Sequence, residues 1–223
     1  MGIYAWREPW GWQPWANTVL YMPLTSNLTD VISWTTLDAY STWWSIWATW
    51  WINKNVLYSW TTWSWFYKSW FTWLPTDTDP RTMSIWLKID TFVPDWGTYA
   101  SYWVSQGNCV FSLCGRWGYM WFSQMWSNTN DGKITAWTWQ NWILTYDGST
   151  LIIYKNGDDV KHWTWTLTTG SDIVAIWIPI RDLTASMGNT WRYSEFIIED
   201  RVWTAQEVTA YYDLTKWDYW ITS

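Results

Sequence analysis

Short runs of alternating apolar and polar side chains recur along the chain, separated by clusters of Ser, Thr, Asn, Asp and Gly. A period of two is the signature of β-strands with one buried face. Residues 18–24 (TVLYMPL) predict a first strand, ended by the polar turn around Ser26 and Asn27. Across 82–90, Ile85, Leu87 and Ile89 fall on one face and Ser84, Trp86 and Lys88 on the other, so one face is expected to be core. Runs at 99–105, 108–114, 118–123, 133–137, 141–146, 150–155, 173–178 and 192–199 extend the series, with further strand-like segments near 46–58 and 64–71. Even spacing of short strands predicts a sandwich and not βαβ units. No repeat of 20–50 residues supports a solenoid or propeller.

Within TYDGSTLIIYKNG (145–157), Asp147-Gly148 and Asn156-Gly157 are pairs that reach positive φ cheaply, so each can close a hairpin around the strand Leu151 to Tyr154. One helix is expected near the C-terminus. Thr204 can cap the N–H of Glu207 while Glu207 reaches back, and Trp203 can pack on Val208 as a staple. The tail from Lys216 to Ser223 carries no clear element. The fold class is therefore all-β: an antiparallel two-sheet jelly-roll sandwich with one short C-terminal helix.

At 223 residues the chain can bury a full core, and a sandwich of this size forms one domain. The expected division is a Pro-containing linker or tail over 1–16 and the sandwich over 17–223. Residues 1–15 lack the apolar segment of a signal peptide, so either a leader has been removed or the chain is a piece of a longer protein. A net charge of −6, with 13 Lys and Arg scattered singly, leaves no basic stripe for phosphates, and nucleic acid is not an expected partner. Polar residues interrupt every apolar segment well short of a bilayer span, and no basic amphipathic stretch suggests membrane insertion.

Tryptophan is the compositional anomaly: 31 Trp stand against 11 Gly, where globular chains carry about 7% Gly. Residues 43–51 read WWSIWATWW and 60–73 read WTTWSWFYKSWFTW, neighbourhoods of the turn type that favours glycine. Two readings are open. In one, many of these positions are UGA codons that the source organism reads as glycine. In the other, each indole is a flat platform on which a sugar ring stacks. Trp86, Trp139 and Trp203 are expected to have packing roles in either case.

Four blocks in order resemble one family. TVLYMPLTSNLTD (18–30), RTMSIWLKID (81–90), Trp139 followed by TYDGSTLIIYKNG, and SEFIIEDRVWTAQEV (194–208) are similar to the laminin-G-like jelly rolls of the concanavalin A-like lectin and glucanase superfamily. The resemblance spans roughly 18–215. It implies the sandwich and leaves the function open, because the fold hosts lectins, adhesion modules, hydrolases and fibre parts. The Trp-rich stretch at 43–73 departs from the family, which has Gly- and Asn-rich turns there.

Catalytic chemistry is not expected. Glucanases of this superfamily carry Glu, Asp and Glu at alternate positions of one strand; here Glu195 and Glu199 share a face with Ile197 between them, and a spacing of four separates their carboxyls beyond the roughly 5–5.5 Å of a retaining pair. The other glutamates are Glu8 and Glu207. Glu195 is expected to pair with Arg201 or Arg192, and Glu207 to serve the helix cap. The single histidine, His162, next to Lys161, has no acidic orienter in sequence reach and reads as a solvated surface residue. Cys109 and Cys114 lie five apart in one apparent strand, on opposite faces, and are not expected to bridge. Asp158 and Asp159, or Asn128, Asn130 and Asp131, could supply oxygens to calcium, although Asn, Asp and Gly also cluster in any turn. No other cofactor is implied.

The expected function is a non-catalytic recognition module of a secreted or surface protein, extracellular or at the cell surface, binding a glycan or protein through rim loops. The alternative is a structural or assembly component of a filament or fibre that packs against copies of itself. A divergent polysaccharide hydrolase is a third reading.

Overall fold

A computed structural model describes residues 17–22, 38–39, 44–48, 55–59, 66–69, 71–90, 97–103, 110–116, 118–122, 132–171, 173–178 and 191–219. Five strands lie in the first third: β1 (Thr18–Met22), β2 (Asp38–Ala39), β3 (Trp44–Ala48), β4 (Asn55–Ser59) and β5 (Phe66–Lys68). Five follow: β6 (Arg81–Ile89), β7 (Gly97–Trp103), β8 (Val110–Arg116), β9 (Tyr119–Phe122) and β10 (Gly132–Lys133). The last are β11 (Trp139–Tyr146), β12 (Thr150–Lys155), β13 (Asp158–Thr164), β14 (Ile173–Ile178) and β15 (Trp191–Glu199), before helix α1 (Ala205–Thr215) and a 3-10 turn (Lys216–Tyr219).

All described pairings are antiparallel and make two sheets. One has the order β13-β12-β11-β6-β15-β4-β3, with β1 also paired to β15. The other runs β10-β9-β8-β7-β14-β5-β2. Both expected hairpins form: Asn156 (φ +53) and Gly157 (φ +88) turn β12 into β13, and Gly148 (φ +100) turns β11 into β12. Asp147 closes its turn by accepting from the Ser149 and Thr150 N–H groups at 2.8 and 2.6 Å.

Met83, Ile85, Leu87 and Ile89 of β6 point into the space between the sheets, where they meet Ala100, Tyr102, Phe111 and Leu113 of the opposing layer. The other face of β6 is also covered, contrary to the expectation of a single core face. Trp86 and Ser84 are fully buried there, because α1 and the 3-10 turn lie across this side of the sheet. The tail thus has an element the sequence pattern did not reveal. Tyr219 stacks on Trp86 with centroids 4.1 Å apart and packs on Trp139 at 5.0 Å. Burying each such aromatic contributes about 2–3 kcal/mol.

One expected strand shortens and one strand was not expected. The strand at 133–137 shrinks to β10, since the chain turns at Trp137 (φ +64). Strand β13 was hidden because it is a sheet edge with mostly exposed side chains, and Asp158, Asp159, Lys161 and His162 erase any apolar alternation. Such charges also discourage pairing of that edge with another chain. Residues 1–16 and Cys109 lie outside the described residues; Cys114 is buried, its Sγ 3.3 Å from Ser112 Oγ.

Helix α1 starts as expected. The Thr204 hydroxyl accepts from the Glu207 N–H, and the Glu207 carboxylate accepts from the Thr204 N–H at 2.8 Å. Trp203 and Val208 join the same apolar cluster. Slight burial pushes the Glu207 carboxyl up, but hydrogen bonds from Thr204 and Arg201 outweigh it and hold it below 4.5. A depressed carboxyl stabilises the fold above its unfolded value, and that contribution is lost as pH falls through the folded value. Thr204→Ala should therefore cost about 1 kcal/mol near neutral pH, and the gap from the parent should narrow below pH 4.5 in denaturant titrations.

Candidate functional site

Strand β6 begins where β11 ends, Arg81 lying opposite Tyr146, and β12 begins where β13 ends, Thr150 lying opposite Thr164. The connections 71–80, 147–149 and 165–171 therefore meet at one end of the sandwich. Two core side chains tie them together.

Arg81, fully buried, is the first. Its Nη1 donates to the Pro75 carbonyl at 2.8 Å and to the Tyr102 hydroxyl at 2.8 Å, and its Nη2 donates to the Asp77 carbonyl. The guanidinium carbon lies 5.0 Å from the Phe111 ring centre and 5.1 Å from that of Tyr146. Neutral carbonyls, a phenol and aromatic faces thus compensate the buried charge. Burial pushes the Tyr102 phenol well up and the neighbouring Arg81 charge opposes this, so Tyr102 stays protonated and donates onward to the Pro75 carbonyl at 2.9 Å.

Tyr146 is the second. Its hydroxyl donates to the Gly148 and Trp165 carbonyls at 2.8 and 3.1 Å and accepts from the Leu167 N–H at 3.1 Å. Backbone contacts complete the assembly: the Asp77 N–H donates to the Thr169 carbonyl at 2.9 Å and that of Trp165 to the Ser149 carbonyl at 2.7 Å. Asp77 sits at φ +44, which Asp tolerates. A Cβ on Gly148 would stand 2.8 Å from the Thr78 carbonyl oxygen, so only glycine lets these two loops touch.

On this braced rim Trp73 is 45% and Trp165 41% exposed. Ordered loops presenting indole faces and carboxylates are suited to holding a ligand, since little conformational freedom is lost on binding. The carboxylates are partly committed: Asp79 accepts from the Thr76 N–H at 2.9 Å and Asp147 braces its own turn.

Glu195 and Glu199 lie elsewhere. Glu195 sits in a β-bulge at φ +48, where the edge of β15 changes partner from β4 to β1. It is fully buried and accepts from the hydroxyls of Tyr21, Tyr211 and Tyr219 at 3.3–3.4 Å. Glu199, also fully buried, accepts from Thr18 Oγ1 and Trp203 Nε1 and pairs with Arg201 at 3.1 Å. Burial pushes the Glu199 carboxyl up, against the pull of Trp203, Arg201 and Thr18. Arg201 also reaches Glu207 at 2.8 Å, while Arg192 pairs with Asp90 at 3.2 Å. The arginine expected beside Glu195 thus serves Glu199 and Glu207, because the bulge turns Glu195 towards the tyrosines. Both acids are fully buried, and each carboxylate is engaged by these partners.

His162 is exposed as expected, but an acid does reach it. Asp159 Oδ2 lies 3.1 Å from its Nε2, with both side chains more than half exposed. Of the calcium candidates, Asn128, Asn130 and Asp131 lie outside the described residues, and Asp158 and Asp159 stand exposed on the edge strand β13. Among the described residues no three His, Cys, Asp or Glu side chains converge. None of the described helices is long and apolar enough to cross a membrane.

Neither a family model nor a curated protein matches the sequence. Solved structures do match the architecture. The binding domain of botulinum neurotoxin serotype D is similar with a TM-score of 0.65 at 12% identity, over 88% of this chain and 50% of that one. The binding domain of Paraclostridial Mosquitocidal Protein 1 gives 0.63 at 14%, over 88% and 52%. Trypanosoma rangeli sialidase gives 0.66 at 13%, over 89% and 33%. The shared feature is a jelly-roll-like fold. The chain spans about half the length of the toxin binding domains and about a third of the sialidase.

Sequence reasoning missed Arg81 and Tyr146 as the organisers of the rim. A usable signal existed for Arg81: a charge opening a strand directly after a proline, with Met83, Ile85, Leu87 and Ile89 following on the core face, needs buried polar partners, several of them in the preceding loop.

Proposed function

We propose that residues 17–223 form a laminin-G-like recognition module, with 1–16 as a lead, acting in an extracellular or cell-surface setting and binding a glycan or a protein without catalysis. The rim carries this reading: two half-exposed indoles stand on loops locked from beneath by Arg81 and Tyr146. The similar toxin structures are named as binding domains, which fits a binding role. The burial of Glu195 and Glu199 beneath α1 favours binding over hydrolysis.

A glycan array together with capture of cell-surface proteins tests the reading. Binding should be found and should weaken about tenfold or more when Trp73 and Trp165 are both replaced by Ala, with the melting temperature unchanged. A surface inert to both libraries contradicts it. Self-assembly is the second reading. It is favoured by Leu214 and Trp217, 60% and 58% exposed at the end of the helical segment, and light scattering showing a clean monomer dismisses it.

A further inference from the structure

We propose that position 137 is glycine in the polypeptide made by the cell that encodes this protein, specified by a UGA codon read as glycine. The backbone carries this inference. Trp137 lies at φ +64, in the left-handed region where a bulky side chain crowds the following carbonyl. The other described non-glycine residues with positive φ are Asp77 and Asn156, whose short polar side chains tolerate it, and Glu195, held in a buried bulge. Gly118, Gly148 and Gly157 take the same sign of φ.

The conformation of this turn is fixed from outside the residue. The Trp137 N–H donates to the Ile89 carbonyl at 2.8 Å. Gln140 brackets the turn, accepting from the Thr135 N–H at 3.1 Å and donating to the Thr135 and Thr138 carbonyls at 2.7 and 3.2 Å. The chain must therefore pass through positive φ at this position whatever side chain it carries. The indole gains little in return, being 63% exposed.

Other tryptophans differ. Trp86, Trp139 and Trp203 are buried, Trp86 stacked and the other two tilted against tyrosine rings, so they pack as tryptophan. Trp73, Trp165 and Trp217 are exposed but none is at positive φ, so the backbone makes no demand for glycine there. The assignment therefore falls on Trp137, and the turn before β11 presents bare backbone to solvent instead of an indole. It is independent of what the rim at the opposite end of β11 binds.

The test pairs the gene with the protein. Codon 137 should be UGA, and peptide mass spectrometry of protein isolated from the source cells should show glycine at 137 and tryptophan at 139. A UGG codon, or tryptophan at 137 in the native peptide, overturns the proposal. In recombinant protein, W137G should raise the melting temperature of the Trp137 chain by roughly 2–8 °C, and W137A should recover less than half of that, because any Cβ meets the left-handed penalty. Equal effects of W137G and W137A would locate the strain in the indole and overturn the backbone argument.

Discussion

Replacing Arg81 by Met is expected to lower the free energy of unfolding by about 2–4 kcal/mol and to loosen the rim it supports. Methionine keeps the apolar stem and the contact with Phe111 and Tyr146, so lost packing is not the main effect. What disappears is the donor set for the Pro75 and Asp77 carbonyls and the partner of the Tyr102 hydroxyl. A carbonyl left without a donor where water cannot reach it costs about 1–3 kcal/mol, and the Asp77 carbonyl is part-buried. The Tyr102 hydroxyl still reaches Pro75, which limits the total. Arg81→Lys should recover less than half, because one ammonium cannot span two carbonyls and a phenol in the guanidinium geometry. Urea unfolding measures the stability. Amide exchange should show the second consequence, faster opening of 75–79 with unchanged protection in β11. Equal stability of the Met variant would mean that the buried charge contributes nothing net.

Trp203→Ala should cost about 3–5 kcal/mol, since the indole is buried between the sheet and α1, tilted against Tyr211 at 5.0 Å, and donates to Glu199 at 2.5 Å. Trp203→Phe separates the two roles. It keeps most of the packing and removes the donor, for about 1.5–3 kcal/mol, as expected of a hydrogen bond to a charged group. Its pH dependence has a definite sign. Burial already raises the Glu199 carboxyl, and losing the indole donor raises it further. The native state then binds the proton more tightly than the unfolded chain, so stability falls as pH rises through the range above the unfolded value of 4.5. The deficit of the Phe variant should therefore be largest near neutrality and shrink on acidification. A deficit independent of pH would show that the indole acts by packing alone.

What could be read from the residues follows from the range of the physics involved. The Asp147-Gly148 and Asn156-Gly157 turns and the Thr204 capping box depend on neighbours within four positions, and all three form. The alternation of Ile85, Leu87 and Ile89 named the inner face of β6 correctly. It could not show that the outer face is covered, because Ser84 and Lys88 look solvated until α1 and Tyr219 are laid across the sheet. The partner of Glu195 was misread for a similar reason: a one-residue bulge re-aims the side chain, and nothing local in Ser194-Glu195-Phe196 announces it. The rim was foreseen only as loops. Its organisation depends on Arg81 and Tyr146 joining segments as far apart as Pro75 and Leu167, a product of sheet register that no short window contains.

The proposed binding surface is the Arg81–Tyr146 end of the sandwich. Hydrogen exchange of the full chain, free and saturated with the ligand recovered from the array or capture experiment, tests it most directly. Slowed exchange concentrated in 73–79, 147–149 and 165–169 is the predicted result. Slowed exchange along β13 or α1, with those three segments exchanging as in the free chain, would contradict it.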